Sequence, residues 1–241
     1  MKKIIKLILL LLLIVIILAI LYFGITGFSM YRSAVSKISI EDKIEEIRSK
    51  ENYVKMEDIP DYYWKAVVAV EDKRFFEHGA IDLISTATAI AVDFVSKDFA
   101  MGGSTITQQL AKNLYFTQEK KLERKVAELF VASRLEKMYT KEEILEIYMN
   151  VIYYGDGYYG LYDASEGYFN KEPKDLTLYE ATLLAGVPNA PSLYSLSKNN
   201  TYIYKRQNKI IECMVEVGYL TQEEADLLYN NVDDGGVKIY E

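Results

Sequence analysis

An apolar run of seventeen residues, 7–23, constrains this chain more than any other feature. At about 1.5 Å per residue, a helix of that length spans roughly 26 Å, close to the hydrocarbon thickness of a bilayer. Lys2, Lys3 and Lys6 precede it, and Tyr22 and Phe23 close it. Basic residues stay on the cytoplasmic side and aromatic ones suit the interface, so the N-terminus is expected in the cytoplasm. The run is longer than the apolar core of a cleaved signal, and no Ala-x-Ala site follows it directly. The expectation is a single-pass anchor over residues 1–25 in the cell membrane, with the rest of the chain extracytoplasmic. Beyond residue 25 lie all thirty-five acidic side chains but only twenty-five of the Lys and Arg. Nucleic-acid binders lean the other way, so no nucleic-acid partner is expected. Any phosphate or anionic lipid must meet a local basic patch.

One cysteine, Cys213, leaves no internal disulfide framework, and one histidine, His78, excludes metal sites built on two or three histidines. Half the residues are apolar, enough for a sizeable core. Residues 26–53 alternate isoleucines with charges and read as a helical extracytoplasmic stalk. From there the pattern is helical: residues 62–70, 104–115, 119–139, 140–150, 164–169, 178–186 and 205–217, then a last helix opening at Thr221. Thr140 with Glu143, and Thr221 with Glu224, have the spacing of capping boxes. No stretch alternates convincingly as a strand, and the tail beyond Asn230 reads as frayed or as a terminal strand. Residues 81–101 are rich in Ala, Ile, Thr and Val and suit either a core helix or an apolar flap on a membrane. The fold class is mainly α, with one domain over 54–241.

Four clusters can carry chemistry. Glu71, Asp72, Lys73 and Arg74 end an apolar run and precede Phe75, Phe76 and His78. An acid in that setting suits general acid/base work, and a charged helix end is the plainer alternative. His78 reads as a structural residue. Gly102 and Gly103 open a helix whose first turns carry Ser104, Thr105, Thr107, Gln108 and Gln109, with Lys112 two turns beyond Thr105. Free N–H groups and short donors there can hold a phosphate, and an N-cap at Ser104 is the structural alternative. Arg124, Lys125 and Glu128 lie on a helix that is otherwise mostly apolar. Glu128 needs a partner there. Arg124 supplies one, either as a purely structural pair or as part of a second acid-and-cation site. Glu146 and Asn150 share a helix face distinct from the stripe of Ile144, Leu145 and Tyr148.

Taken in order, these clusters resemble the motifs of the peptidoglycan glycosyltransferases of family 51, the module of class A penicillin-binding proteins and of stand-alone transglycosylases. The correspondences are Glu71-Asp72-x-x-Phe75-x-x-His78; Gly102 to Gln109 with Lys112 and Asn113; Arg124-Lys125-x-x-Glu128; and Lys141-x-Glu143-Ile144-Leu145-Glu146-x-Tyr148-x-Asn150. A fifth, Arg206-Gln207-Asn208, is partial. The resemblance implies a lysozyme-like helical fold with a small membrane-associated lobe at about 79–101. It implies polymerisation of lipid II into β-1,4-linked glycan with inversion and release of undecaprenyl pyrophosphate. Glu71 is then the general base and Glu128 the second catalytic acid. Ser104, Thr105, Gln108, Gln109, Lys112, Asn113, Arg124 and Lys125 contact the donor, and Glu146 and Arg206 complete or brace the cleft. A divalent cation, Mg2+ or Mn2+, is implied at Glu128, with no organic cofactor. Implied partners are lipid II, lipid-linked glycan, the cytoplasmic membrane, transpeptidases and division or elongation proteins. Three departures from the family pattern stand at Ala80, Thr88 and Gln207, the last two where positive charge is usual. A monofunctional enzyme without a transpeptidase domain is expected. A glycan-cleaving enzyme in the lysozyme style and a catalytically weak membrane scaffold are the alternatives.

Overall fold

A computed structural model describes residues 2–88, 103–117, 119, 121–198, 201–230, 232–233 and 236–237. The elements are α1 (Lys2–Val35), α2 (Ile40–Arg48), α3 (Asp61–Glu71), α4 (Ile106–Tyr115), α5 (Leu122–Met138), α6 (Lys141–Val151), α7 (Leu161–Phe169), α8 (Leu178–Gly186), α9 (Pro191–Tyr194), α10 (Thr201–Glu216) and α11 (Gln222–Asn230). Short 3-10 turns join several of them, and a further helical stretch covers 83–88. Among the described residues the only sheet is a two-residue antiparallel hairpin near the C-terminus, Val232–Asp233 with Gly236–Val237. The mainly helical reading holds. Of the lobe expected at about 79–101, residues 89–101 lie outside the described residues.

Two groups of helices make the body. In the first, α4 packs on α5 along one side and on α6 along another; in the second, α3, α8 and α10 pack on one another. Asp72, directly after α3, ties the groups together. One carboxylate oxygen accepts from the Ile106 N–H at 3.0 Å, filling an open donor at the start of α4. The other lies 2.6 Å from His78 Nε2, which gives His78 the bracing role expected of it. Burial pushes the Asp72 carboxyl up, against the opposing pull of His78 and the Ile106 N–H. The N-cap of α4 is Thr105, whose hydroxyl accepts from the Gln108 N–H; the cap anticipated at Ser104 falls one residue early. The boxes at Thr140–Glu143 and Thr221–Glu224 both form. A third, Thr177 with Glu180, opens α8.

The stalk reading of 26–53 is corrected by packing. Ile40, Ile44 and Ile47 recur at helical spacing on one face of α2 and are buried in the core cluster. Arg48 of α2 pairs with Glu143 of α6 at 2.9 Å. The following strand-like segment is gripped by α6 as well. Asn150 accepts from the Val54 N–H and donates to the Val54 C=O, both at 2.8 Å. Glu146 accepts from the Tyr53 hydroxyl at 2.5 Å and from the Met56 N–H at 2.7 Å. The packed body therefore already includes Ile40 and does not wait for Val54.

α1 is long and apolar enough to cross a membrane, and its side chains from Ile4 to Leu18 are exposed. Such a helix is consistent with a membrane anchor or a signal sequence. It does not stop where the apolar run stops. Three further turns carry it to Val35 and onto α5.

Candidate active site

Glu71 is the last residue of α3 and stands where the two helix groups meet. Its Oε2 accepts from Gln109 Nε2 of α4 at 2.9 Å, and its Oε1 accepts from Arg206 Nη2 of α10 at 3.0 Å. The apolar setting expected from the run before it is thus replaced by a guanidinium and an amide. The Glu71 side chain keeps 11% of its surface exposed. Gln109 is itself oriented. The hydroxyl of Tyr148, fully buried on α6, donates to Gln109 Oε1 at 3.0 Å and turns the amide nitrogen toward Glu71. Tyr148 belongs to the fourth motif, but its helical spacing marks only a core position. Gly186 lets α8 approach α10 closely here: a Cβ on it would lie 3.0 Å from Arg206 Cγ.

One turn along α4 from Gln109, Lys112 leads to the second carboxylate. Glu128, on α5, is 1% exposed. Arg124 Nη1 donates to its Oε1, and Lys125 Nζ lies 3.4 Å from its Oε2. Lys125 Nζ also donates to Ser104 Oγ at 2.6 Å, which joins α5 to the loop before α4. Burial pushes the Lys112 ammonium below its ordinary value. Glu128 and Glu71 oppose that shift, and Arg124 and Lys125 add to it. Lys112 therefore feels both carboxylates. With Arg124 and Lys125 it makes three cations beside the buried Glu128, leaving an excess of positive charge on a chain whose net charge is -7. The pair of readings left open for Glu128 resolves into one arrangement: Arg124 is its buried partner, and the same pair lies among the other cations.

Not every residue singled out from the sequence joins this cluster. Thr105 and Gln108 are buried and both donate to the Ala80 C=O, at 3.0 and 2.8 Å, so their side chains hold the loop after His78. Asn113 is exposed on α4. Glu146 serves the 53–56 segment. The departures also find places. Gln207 is fully buried, and its Nε2 donates to the Tyr179 C=O and to Thr182 Oγ1 of α8. A residue so placed is part of the α8–α10 packing, so the missing charge at 207 is not missing from the cluster around Lys112. Thr88 donates to the Ile84 C=O of its own helical stretch. Ala80 contributes its carbonyl as the shared acceptor.

A divalent cation does not suit Glu128. Both its oxygens already face cations, and Lys112 adds a third positive group nearby. Among the described residues, Asp72, His78 and Asp82 form the one group close enough to share an ion. Asp82, however, is committed to Arg74, the Ile84 and Ser85 N–H groups and the Ser85 hydroxyl. Asp72 and His78 are committed to each other and to the backbone. What the arrangement offers is a carboxylate with lone pairs to spare at one end of α4 and anchored cations one turn away. That combination takes a proton at one point and stabilises negative charge at another.

Comparison with known proteins gives the family. The transglycosylase family profile matches residues 40–215, which begin at the first residue of α2. Penicillin-binding protein 1F of Bacillus subtilis is 44% identical over 172 residues, which are 71% of this chain and 24% of that protein. Penicillin-binding protein 1A of Aquifex aeolicus is 40% identical over 181 residues, 75% of this chain and 25% of that protein. The chain thus spans about a quarter of the length of these relatives. The crystal structure of penicillin-binding protein 1A from Haemophilus influenzae aligns with 78% of this chain and 19% of its own, with a TM-score of 0.42 at 22% identity. The profile match and these relatives place the chain in the transglycosylase family, the peptidoglycan glycosyltransferases, as a domain homologous to the glycosyltransferase module of class A penicillin-binding proteins.

Proposed function

We propose that the chain polymerises lipid II into β-1,4-linked glycan strands with inversion, releasing undecaprenyl pyrophosphate. The observation that carries this reading is the division of labour along α4, with Glu71 held at Gln109 and the cations gathered at Lys112 one turn on. Inverting transfer needs a base for the attacking hydroxyl and charge stabilisation for the leaving group, with no covalent intermediate. Glu71 takes the proton from the 4-hydroxyl of the incoming lipid II sugar as that oxygen attacks the donor's anomeric carbon. Each Glu71 oxygen accepts one hydrogen bond, from Gln109 or Arg206, and retains a second lone pair for the hydroxyl. The C–O bond to the pyrophosphate breaks as the glycosidic bond forms. The departing charge is met by Lys112, Arg124 and Lys125, while Glu128 keeps Arg124 and Lys125 in place. Ser104 fixes Lys125 from the other side.

In the same reading α1 is a retained anchor with Lys2, Lys3 and Lys6 in the cytoplasm and the catalytic body outside. The unbroken helix from the apolar run into the α5 contact supports an anchor over a cleaved signal. Full chain incubated with lipid II in detergent, followed by glycan-length analysis, tests the reaction. Lipid-linked glycan longer than the substrate supports it. Shortening of a preformed glycan without elongation would favour a cleaving enzyme, and absence of any product would favour a scaffold. The burial of Gln207 against α8 removes part of the ground for the scaffold.

A further inference from the structure

The contact between α1 and α5 turns on a glycine. Gly27 is the only buried residue of α1. A Cβ on it would stand 2.6 Å from Val126 Cβ and Cγ1 and 3.0 Å from the Glu123 carbonyl oxygen, so the two helices meet there with no room for a side chain. Around that point the fit is aromatic. Phe28 meets Phe130 edge-on at 5.2 Å, and Tyr31 stacks on Phe130 at 5.7 Å. Beside it the packing stops: a cavity of about 630 Å3 separates Thr26, Ser29, Met30 and Ser33 of α1 from the end of α4. Glu123, Val126 and Phe130 share one face of α5. At 100° per residue, Lys125 and Glu128 turn away from that face, while Arg124 borders the cavity beside the joint. The membrane helix and the cation row are therefore mounted on different faces of a single helix, with Arg124 at the edge between them.

We infer that Gly27 is a positioning residue: its joint with Val126 sets the height and tilt of the Arg124, Lys125 and Glu128 row over the bilayer, and so over the pyrophosphate of a membrane-held substrate. This rests on the function proposed above. The level of a lipid pyrophosphate is fixed by the headgroup layer, and the level of α1 is fixed by its apolar run, since mismatch with the hydrocarbon is penalised. The register of α1 on α5 is what remains to bring the two levels together. A side chain at position 27 must pry the helices apart or slide one along the other, and misplacement by about 1 Å can cost as much as 10²-fold in rate.

The test uses the full chain in vesicles. Gly27→Val should raise KM for long-chain lipid II embedded in the bilayer by about tenfold or more. It should leave turnover of a short-prenyl lipid II free in solution unchanged, because that substrate finds the row without reference to the membrane. Gly27→Val with Val126→Gly, which moves the bulk across the joint, should restore the bilayer KM. Parent-like KM on vesicles, equal losses on both substrates, or no rescue by the double variant would overturn the inference. Neutron reflectometry of the domain's height on a supported bilayer tests the joint without turnover. A shift in Gly27→Val that the double variant reverses supports it, and an unchanged height rejects it. If the parent polymerises neither substrate, the proposed function fails, and the height measured by reflectometry still supports or rejects the joint.

Discussion

Lys112 lies between the two halves of the site and feels the carboxylates of both. Burial holds its folded pKa below the ordinary lysine value, with Arg124 and Lys125 adding to the shift and Glu128 and Glu71 opposing it. Between that lowered value and the ordinary one, the unfolded chain binds more protons at this site than the folded chain. The sign of the linkage then makes Lys112's contribution to stability rise as pH increases through that window. Its contribution to pyrophosphate affinity must fall over the same window, because the neutral amine no longer attracts the anion. Donor-binding titrations across alkaline pH should therefore weaken in the parent. They should weaken less in Lys112→Arg, whose guanidinium stays charged. Identical slopes in the two proteins would mean that Lys112 does not face the donor. Glu71, Gln109, Lys112, Arg124, Lys125 and Glu128 could be singled out in the sequence through the resemblance of their short motifs to the family's, since spacing alone left a structural alternative for each cluster. What each side chain touches was not. The Arg206 that holds Glu71 comes from 135 positions away, and the cap of α4 falls on Thr105 because the backbone turns there rather than at Ser104.

At the scale of elements, α6 supports the site from behind, with Tyr148 on Gln109 and with Glu146 and Asn150 on the segment that leads from α2 to α3. Asn150→Ala strands the Val54 N–H and C=O in a buried place, at a cost of about 1–3 kcal/mol. Chemical denaturation should show that loss in the midpoint, with turnover of the remaining folded protein close to the parent's. A large fall in turnover without loss of stability would instead place Asn150 at the substrate. The periodicity of Ile40, Ile44 and Ile47 is visible in the sequence, yet the charges between them read equally well as a solvated stalk. Only the nonlocal surface of α6 and its neighbours decides that the stripe is core. The fourth motif has the same ambiguity. Its spacing shows two faces, and the fold reveals that one of them grips the 53–56 segment.

Across the whole molecule, a helix suited to the membrane is splinted to the helix that carries the cation row, and both are tied through α4 to the carboxylate at the end of α3. Removing residues 1–25 keeps Thr26–Val35 on α5, so the thermal midpoint in detergent should stay close to the parent's. Removing residues 1–36 bares the Val126 and Phe130 face and should cost about 2–3 kcal/mol. Equal midpoints for the two truncations would show that α1 adds nothing to the body. The central claim is that Glu71 takes the acceptor's proton while the Lys112, Arg124 and Lys125 cluster receives the leaving group. The most direct measurement compares parent and Glu71→Gln for lipid II polymerisation, lipid II binding and thermal midpoint on the same preparations. The amide keeps the size of the side chain and can still meet Gln109 or Arg206, but it cannot accept the proton. The account predicts parent-like folding and binding with the chemical step slower by about 10²–10⁴-fold. A folded Glu71→Gln protein that elongates glycan at near the parent's rate would contradict it.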